Sequence, residues 1–154
     1  MMQQPLPKIF PPVFALLFAA AMWAVANGFP IVELIPDPWN RFGYIVMAIA
    51  ISIDLWSLGL FLRAKTTFHP LRLHETSSLV TGGMYRVTRN PMYLGLLLLL
   101  TGWAILLGEL LPWMLLPIFV WLLNTQQIQH EERILEEKFG GQYLQYKERV
   151  RRWI

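Results

Sequence analysis

Residues 92–124 carry a single charged side chain, Glu109, in an otherwise apolar run of 33 residues. As one straight α-helix such a run would be about 50 Å long, well beyond the roughly 30 Å of a bilayer's hydrocarbon core. It must fold back on itself, and Gly108, Glu109 and Pro112 mark the turn. Each arm is then about 15 to 17 residues, at the short end of what crosses a membrane. The sequence therefore predicts a tight helical hairpin.

Two further apolar blocks precede it. Residues 13–26 are uncharged and rich in Ala and Phe, which predicts a helix starting near Phe10. Residues 42–62 are long enough to cross a bilayer. Between them Gly28, Pro30, Pro36, Asp37 and Pro38 predict a short external loop. Asp54 lies near the middle of the second block, where a charge costs about 2.5–3.5 kcal/mol on insertion scales. It must face the bundle or a wet cavity, either as a functional acid or as a hydrogen-bonded packing residue.

Hydrophobic residues make up 55% of the chain and charged ones 15%, against the roughly 25% charge of a soluble domain. The expected class is all-α: an integral membrane bundle of about four transmembrane helices, the last two a hairpin, followed by cytoplasmic amphipathic helices. With 154 residues there is room for one domain, residues 1–65 forming two membrane helices and 66–154 a core. The net charge of +3 comes from basic residues flanking apolar blocks, so the expected partners are lipid headgroups and not nucleic acid. Six Lys and Arg follow Asn124 and five lie in residues 63–90, whereas the 27–41 loop has only Arg41. The positive-inside rule then puts both termini and both basic segments on the cytoplasmic side.

Several chemistries are excluded at once. With no cysteine there is no disulfide, thiolate metal site or Cys nucleophile. GxGxxG after a strand, Walker, HExxH and GxSxG motifs are absent. His69 and His74 are five residues apart with Pro70 between, off the spacing that puts two ligands on one helical face, so no metal is expected.

The chemistry is expected where basic loop meets apolar helix, in GGMYRVTRNPMYLG, residues 82–95. Asn90 followed by Pro91 is a helix-start signal, the Asn side chain accepting from an orphan N–H and Pro occupying the first helical position. The positive end of that helix, beside Arg86 and Arg89, suits an anion such as a carboxylate, or equally lipid phosphates. The tail brings Glu131 and Glu132, adjacent on a helix and about 100° apart, so at most one is expected to look straight at a given site and the other to orient it or pair with an arginine. The pair reads equally as a solvated charged face. After Gly140 and Gly141, Tyr143, Tyr146, Val150 and Trp153 recur three or four apart among basic residues, the pattern of a helix lying on a membrane surface.

TTFHPLR, the 82–95 motif, the hairpin and EERILEEKFGGQYLQYKERVRRWI together resemble the C-terminal core of the isoprenylcysteine carboxyl methyltransferase family, and in outline the related phospholipid N-methyltransferases. The resemblance covers about residue 66 to the end. It implies an S-adenosylmethionine-dependent methyltransferase acting on a lipophilic small molecule or lipid, an isoprenylcysteine carboxylate-like or other small apolar acceptor. Carried over by position, Tyr85, Arg89, Asn90, Pro91, Tyr93 and Gly95 would hold the cofactor's amino-acid end and mouth, with Asn90 where many members have histidine. Glu131 and Glu132 would close the pocket from the tail, with Tyr143 and Tyr146 covering it. Arg89 and Glu132 are the expected catalytic residues, and Arg149 and Arg152 fall beside the substrate. A sterol-type NADPH-dependent membrane reductase, whose family resembles this fold, and a non-catalytic lipid-surface protein are the other readings.

Overall fold

The computed structural model describes residues 10–65 and 75–154, and among these it is helical with no β-strand. The chain forms α1 (Pro11–Gly28), α2 (Phe42–Arg63), α3 (Pro91–Leu107), α4 (Leu110–Leu123), α5 (Gln129–Phe139) and α6 (Gly141–Arg149). Both α1 and α3 begin on proline, whose missing N–H costs nothing in a first turn. The hairpin closes at Gly108, in the left-handed conformation at φ +73°, which a side chain would disfavour. Helical backbone then continues from Leu110 through a π-turn at Asn124–Ile128 to Phe139, so α5 is the polar extension of α4. Gly140, at φ +49°, breaks the path before α6.

α3 is the central element, packed by α1, α2 and α4. Its contact with α2 depends on small residues. Gly43, Ala50 and Ser57 are buried at seven-residue intervals along α2. A Cβ at Gly102 would lie 2.5 Å from Met47 Cγ and 2.7 Å from the Gly43 carbonyl oxygen. One further turn-pair along the same seam, Gly95 abuts the carboxylate of Asp54. Close backbone approach of this kind is how apolar helices gain contact where lipid offers no hydrophobic contrast. α1 and α4 meet through Phe119, fully buried, stacked on Phe14 at 5.5 Å between ring centres and edge-on to Phe18 at 5.1 Å.

Pro11–Gly28 and Trp39–Arg63 are long and apolar enough to cross a membrane. Only 22% and 11% of these spans are buried inside the protein, and Leu16, Trp23, Leu55 and Trp56 are more than half exposed. A soluble core helix would be mostly covered, whereas these helices turn a large apolar surface outward. At one end of the bundle the 27–41 loop is tied to the hairpin turn, the Leu34 and Ile35 N–H groups donating to the Gly108 carbonyl and the Leu110 N–H to that of Val32. At the other end the segment before α3 meets the C-terminal tail.

That meeting corrects the expectation for the tail. The apolar stripe of α6 does not lie on a surface: Tyr143, Tyr146 and Val150 are buried against Tyr85, with Phe61, Leu79 and Leu135 around them. Tyr146 can be buried because its hydroxyl donates to the Tyr85 carbonyl at 2.6 Å. The helix ends at Arg149, and Val150 is already extended. His69 and His74 lie outside the described residues.

Candidate functional site

The Thr88–Asn90 segment and the tail are laced together by backbone bonds. The Arg89 N–H donates to the Arg151 carbonyl at 2.9 Å, and the Thr88 hydroxyl and Asn90 Nδ2 both donate to that of Arg152 at 3.0 Å. The predicted side-chain cap by Asn90 is therefore not made. The tail presents carbonyls to this side chain, and Thr88 Oγ1 accepts the Asn90 N–H instead.

Arg89 holds the junction. Its Nη1 donates to the carbonyls of Val150, 2.7 Å, and Lys147, 3.1 Å, while Nη2 pairs with Glu132 Oε1 at 2.7 Å. Glu132 also receives both Nε and Nη2 of Arg152, at 3.0 and 2.7 Å. Burial pushes the Glu132 carboxyl up, but the bonds and charges of Arg152 and Arg89 prevail and hold it below its ordinary value. Arg152 is correspondingly raised by its hydrogen bond to Glu132. This is a buried two-arginine clamp on one carboxylate, fixed ionised at neutral pH.

Glu131 lives differently. Its Oε1 accepts from the Tyr93 hydroxyl and from Gln127 Nε2, the latter at 2.7 Å. Burial raises its carboxyl to about 7, against the lowering effect of those two bonds. Burial likewise pushes the hydroxyls of Tyr85, Tyr143 and Tyr146 up, which keeps them neutral.

These groups surround one cavity of about 400 Å³ between α2, α3, α5, α6 and the start of α1. Tyr85, Arg89, Asn90, Tyr93, Glu131, Glu132, Tyr143 and Tyr146 all line it. Both glutamates are in the lining, and Glu132 is the one paired with arginine, as expected of one member of the pair. The cavity spans enough of the helix face to meet side chains 100° apart. Pro91 and Gly95 are not in the lining: Pro91 starts the helix and Gly95 faces Asp54. Arg149 stands outside, exposed, with its Nε on the Gln145 carbonyl, and Arg152 reaches only the far side of Glu132. Residues that no sequence motif marks complete the wall: Leu55, Leu58 and Leu96 add apolar surface, and Thr76 and Ser78 add hydroxyls. Asp54 lines it as well.

Among the described residues no group of His, Asp and Glu could hold a metal ion. Of the residues that line the cavity, Arg89, Asp54 and Thr76 each have a buried polar atom, Nε, Oδ1 and Oγ1, without a hydrogen-bond partner among the described residues.

Residues 39–142 match the family model described as phospholipid methyltransferase. A 63-residue protein of Haemophilus influenzae, described as an uncharacterized protein, is 49% identical over its whole length and 41% of this chain. Protein-S-isoprenylcysteine O-methyltransferase A of Arabidopsis thaliana is 32% identical over 72% of this chain and 56% of its own. The Schizosaccharomyces pombe protein-S-isoprenylcysteine O-methyltransferase is 36% identical over 47% of this chain and 30% of its own. The chain thus spans about half the length of the plant relatives or less. No solved structure matches it. The family match runs from just before α2 to the first residues of α6 and takes in the cavity-lining residues of α2, α3 and α5, and the chain belongs to the phospholipid methyltransferase family.

Proposed function

We propose that the protein transfers a methyl group from S-adenosylmethionine to a lipophilic acceptor at the cytosolic face of a membrane. The observation that carries this is the single cavity in which an arginine-clamped polar wall meets apolar surface. Its volume falls within the roughly 300–1,000 Å³ of small-molecule sites. The residues suit the cofactor: the positive charge of Arg89 and the start of α3 for a carboxylate, and Glu131 and the faces of Tyr93, Tyr143 and Tyr146 for ammonium and sulfonium.

When bound, the cofactor supplies a methyl carbon on a positively charged sulfur, open to in-line displacement without a protein nucleophile. The chain's part is to hold and align. Arg89 and Glu132, bound to each other and to the tail carbonyls, make the wall rigid. Glu131, near half-ionised at pH 7, offers negative charge where a cation is to sit. Alignment of this kind can contribute about 7–11 kcal/mol of the barrier. Leu55, Leu58 and Leu96 exclude water and admit an apolar chain from the bilayer side.

In the same reading α1, α2 and the α3–α4 hairpin make four spans, with the cavity and both termini cytosolic. The tie between the 27–41 loop and the Gly108 turn supports this, since it gathers the poorly basic connections at one end. Titration of the protein in lipid nanodiscs with S-adenosylhomocysteine and with NADPH tests the proposal. Saturable binding of the first and not the second is expected; binding of NADPH alone would replace it by the reductase reading, and binding of neither by a non-catalytic one.

A further inference from the structure

Asp54 belongs to neither of the two motifs that supply the polar wall, yet it lines the same cavity, from α2, which also brings Leu55 and Leu58 to it. Its Oδ1 is buried with no hydrogen-bond partner among the described residues. Across from it, a Cβ on Gly95 would overlap the carboxylate, lying 2.7 Å from Oδ2 and nearer still to Oδ1. The absent side chain of Gly95 is thus the socket in which the acid sits. Among the described residues the ion pairs to the acids of this cavity all end on Glu132, and none reaches Asp54 or Glu131. Two arginines share the one carboxylate of Glu132, while Asp54 and Glu131 meet no cation among the described residues.

We infer that Asp54 is the acceptor-side catalytic residue, taking the hydrogen-bearing nucleophilic atom of a lipophilic acceptor, N–H or S–H, and excluding acceptors that end in a carboxylate. A lipid-like molecule entering along the leucines brings its polar end to Oδ2, Oδ1 being sealed against Gly95, and an anionic end would meet a second anion there. For an amine the step balances as follows. The ammonium gives one proton to the Asp54 carboxylate, and the freed nitrogen pair forms the N–C bond to the methyl carbon. The C–S bond breaks with its pair kept by sulfur, so the products are a methylated ammonium, a neutral thioether and one proton, which leaves through Asp54. A thiol follows the same course and ends as a neutral thioether. This inference rests on the methyltransferase reading, and the test separates the two.

The wild type, Asp54→Asn and Gly95→Ala are titrated in nanodiscs with S-adenosylhomocysteine, dodecylamine and dodecanoate, each corrected for partition into empty discs. The wild type is expected to bind dodecylamine at least tenfold more tightly than dodecanoate. Asp54→Asn should lose that preference with S-adenosylhomocysteine affinity kept within about twofold. Gly95→Ala, in which the acid remains but is displaced, should lose it too. Retention of the amine preference by Asp54→Asn with intact S-adenosylhomocysteine binding overturns the inference and leaves the methyltransferase reading standing. Failure of the wild type to bind S-adenosylhomocysteine overturns that reading and the acceptor role with it.

Discussion

Removing the Glu132 carboxylate tests how the tail is held. In Glu132→Ala the Arg89 guanidinium, whose side chain is only 9% exposed, is left without its 2.7 Å partner, and Arg152 loses both of its bonds. Removing one member of a buried pair costs roughly 3–5 kcal/mol, because the surviving charge stays desolvated and unpaired. Arg89 is also the group that grips the Lys147 and Val150 carbonyls, so the loss falls on the docking of α6 and residues 150–153 and not on the apolar core. At about 1.4 kcal/mol per factor of ten, the open population of the tail should rise by about 10² to 10³-fold or more. Amide hydrogen exchange of residues 141–153 reads this directly. Arg41→Ala is the control: its pair with Asp37 is 69% and 63% exposed, where such pairs contribute under about 1 kcal/mol. Tail amides that exchange no faster in Glu132→Ala than in Arg41→Ala would refute the clamp.

Glu131 predicts a pH dependence of opposite sign to that of Glu132. Its folded value of about 7 lies above the ordinary 4.5, so its contribution to stability is intact below 4.5 and is lost as pH rises through about 7, on the order of 3 kcal/mol in all. The stability difference between Glu131→Gln and the wild type should grow in favour of the variant over that window, measured by detergent denaturation. Gly102→Ala should destabilise by about 1–3 kcal/mol, since its Cβ meets Met47 and the Gly43 backbone, whereas Gly59→Ala, with nothing within 4 Å, should stabilise by up to about 1 kcal/mol. Thermal midpoints of the two variants, one falling and one rising, check the helix seam. Because the chain has no cysteine, single cysteines report sidedness cleanly. In oriented vesicles Arg149→Cys should react only from the cytosolic side and Trp39→Cys only from the other.

Much of the fold was legible where the signal is local. Pro91 starts α3, Gly108 turns the hairpin and Gly140 breaks the tail, each because one residue's own backbone chemistry decides the outcome. Residues 42–62 were read within one residue of α2 because a span declares itself by length and the absence of charge. The misses are all non-local. Tyr143 and Tyr146 mark an apolar face, but a membrane and a protein groove ask for the same spacing, and only the fold reveals that Tyr85 is the cover. Asn90 has the chemistry of a cap, yet a carbonyl from Arg152 competes for it. The sequence says that Asp54 must be sheltered and cannot say that Gly95 makes the shelter. The π-turn at Asn124–Ile128, which leads α4 into the glutamates, has no sequence signature at all.

The central claim, transfer of a methyl group from this cavity into an apolar acceptor, is tested most directly by isotope. The protein is incubated with methyl-tritiated S-adenosylmethionine and membranes of its own source, and the organic extract is counted. Label entering the organic phase in proportion to protein, blocked by S-adenosylhomocysteine, is the predicted result. Label that stays wholly in the aqueous phase would contradict the account.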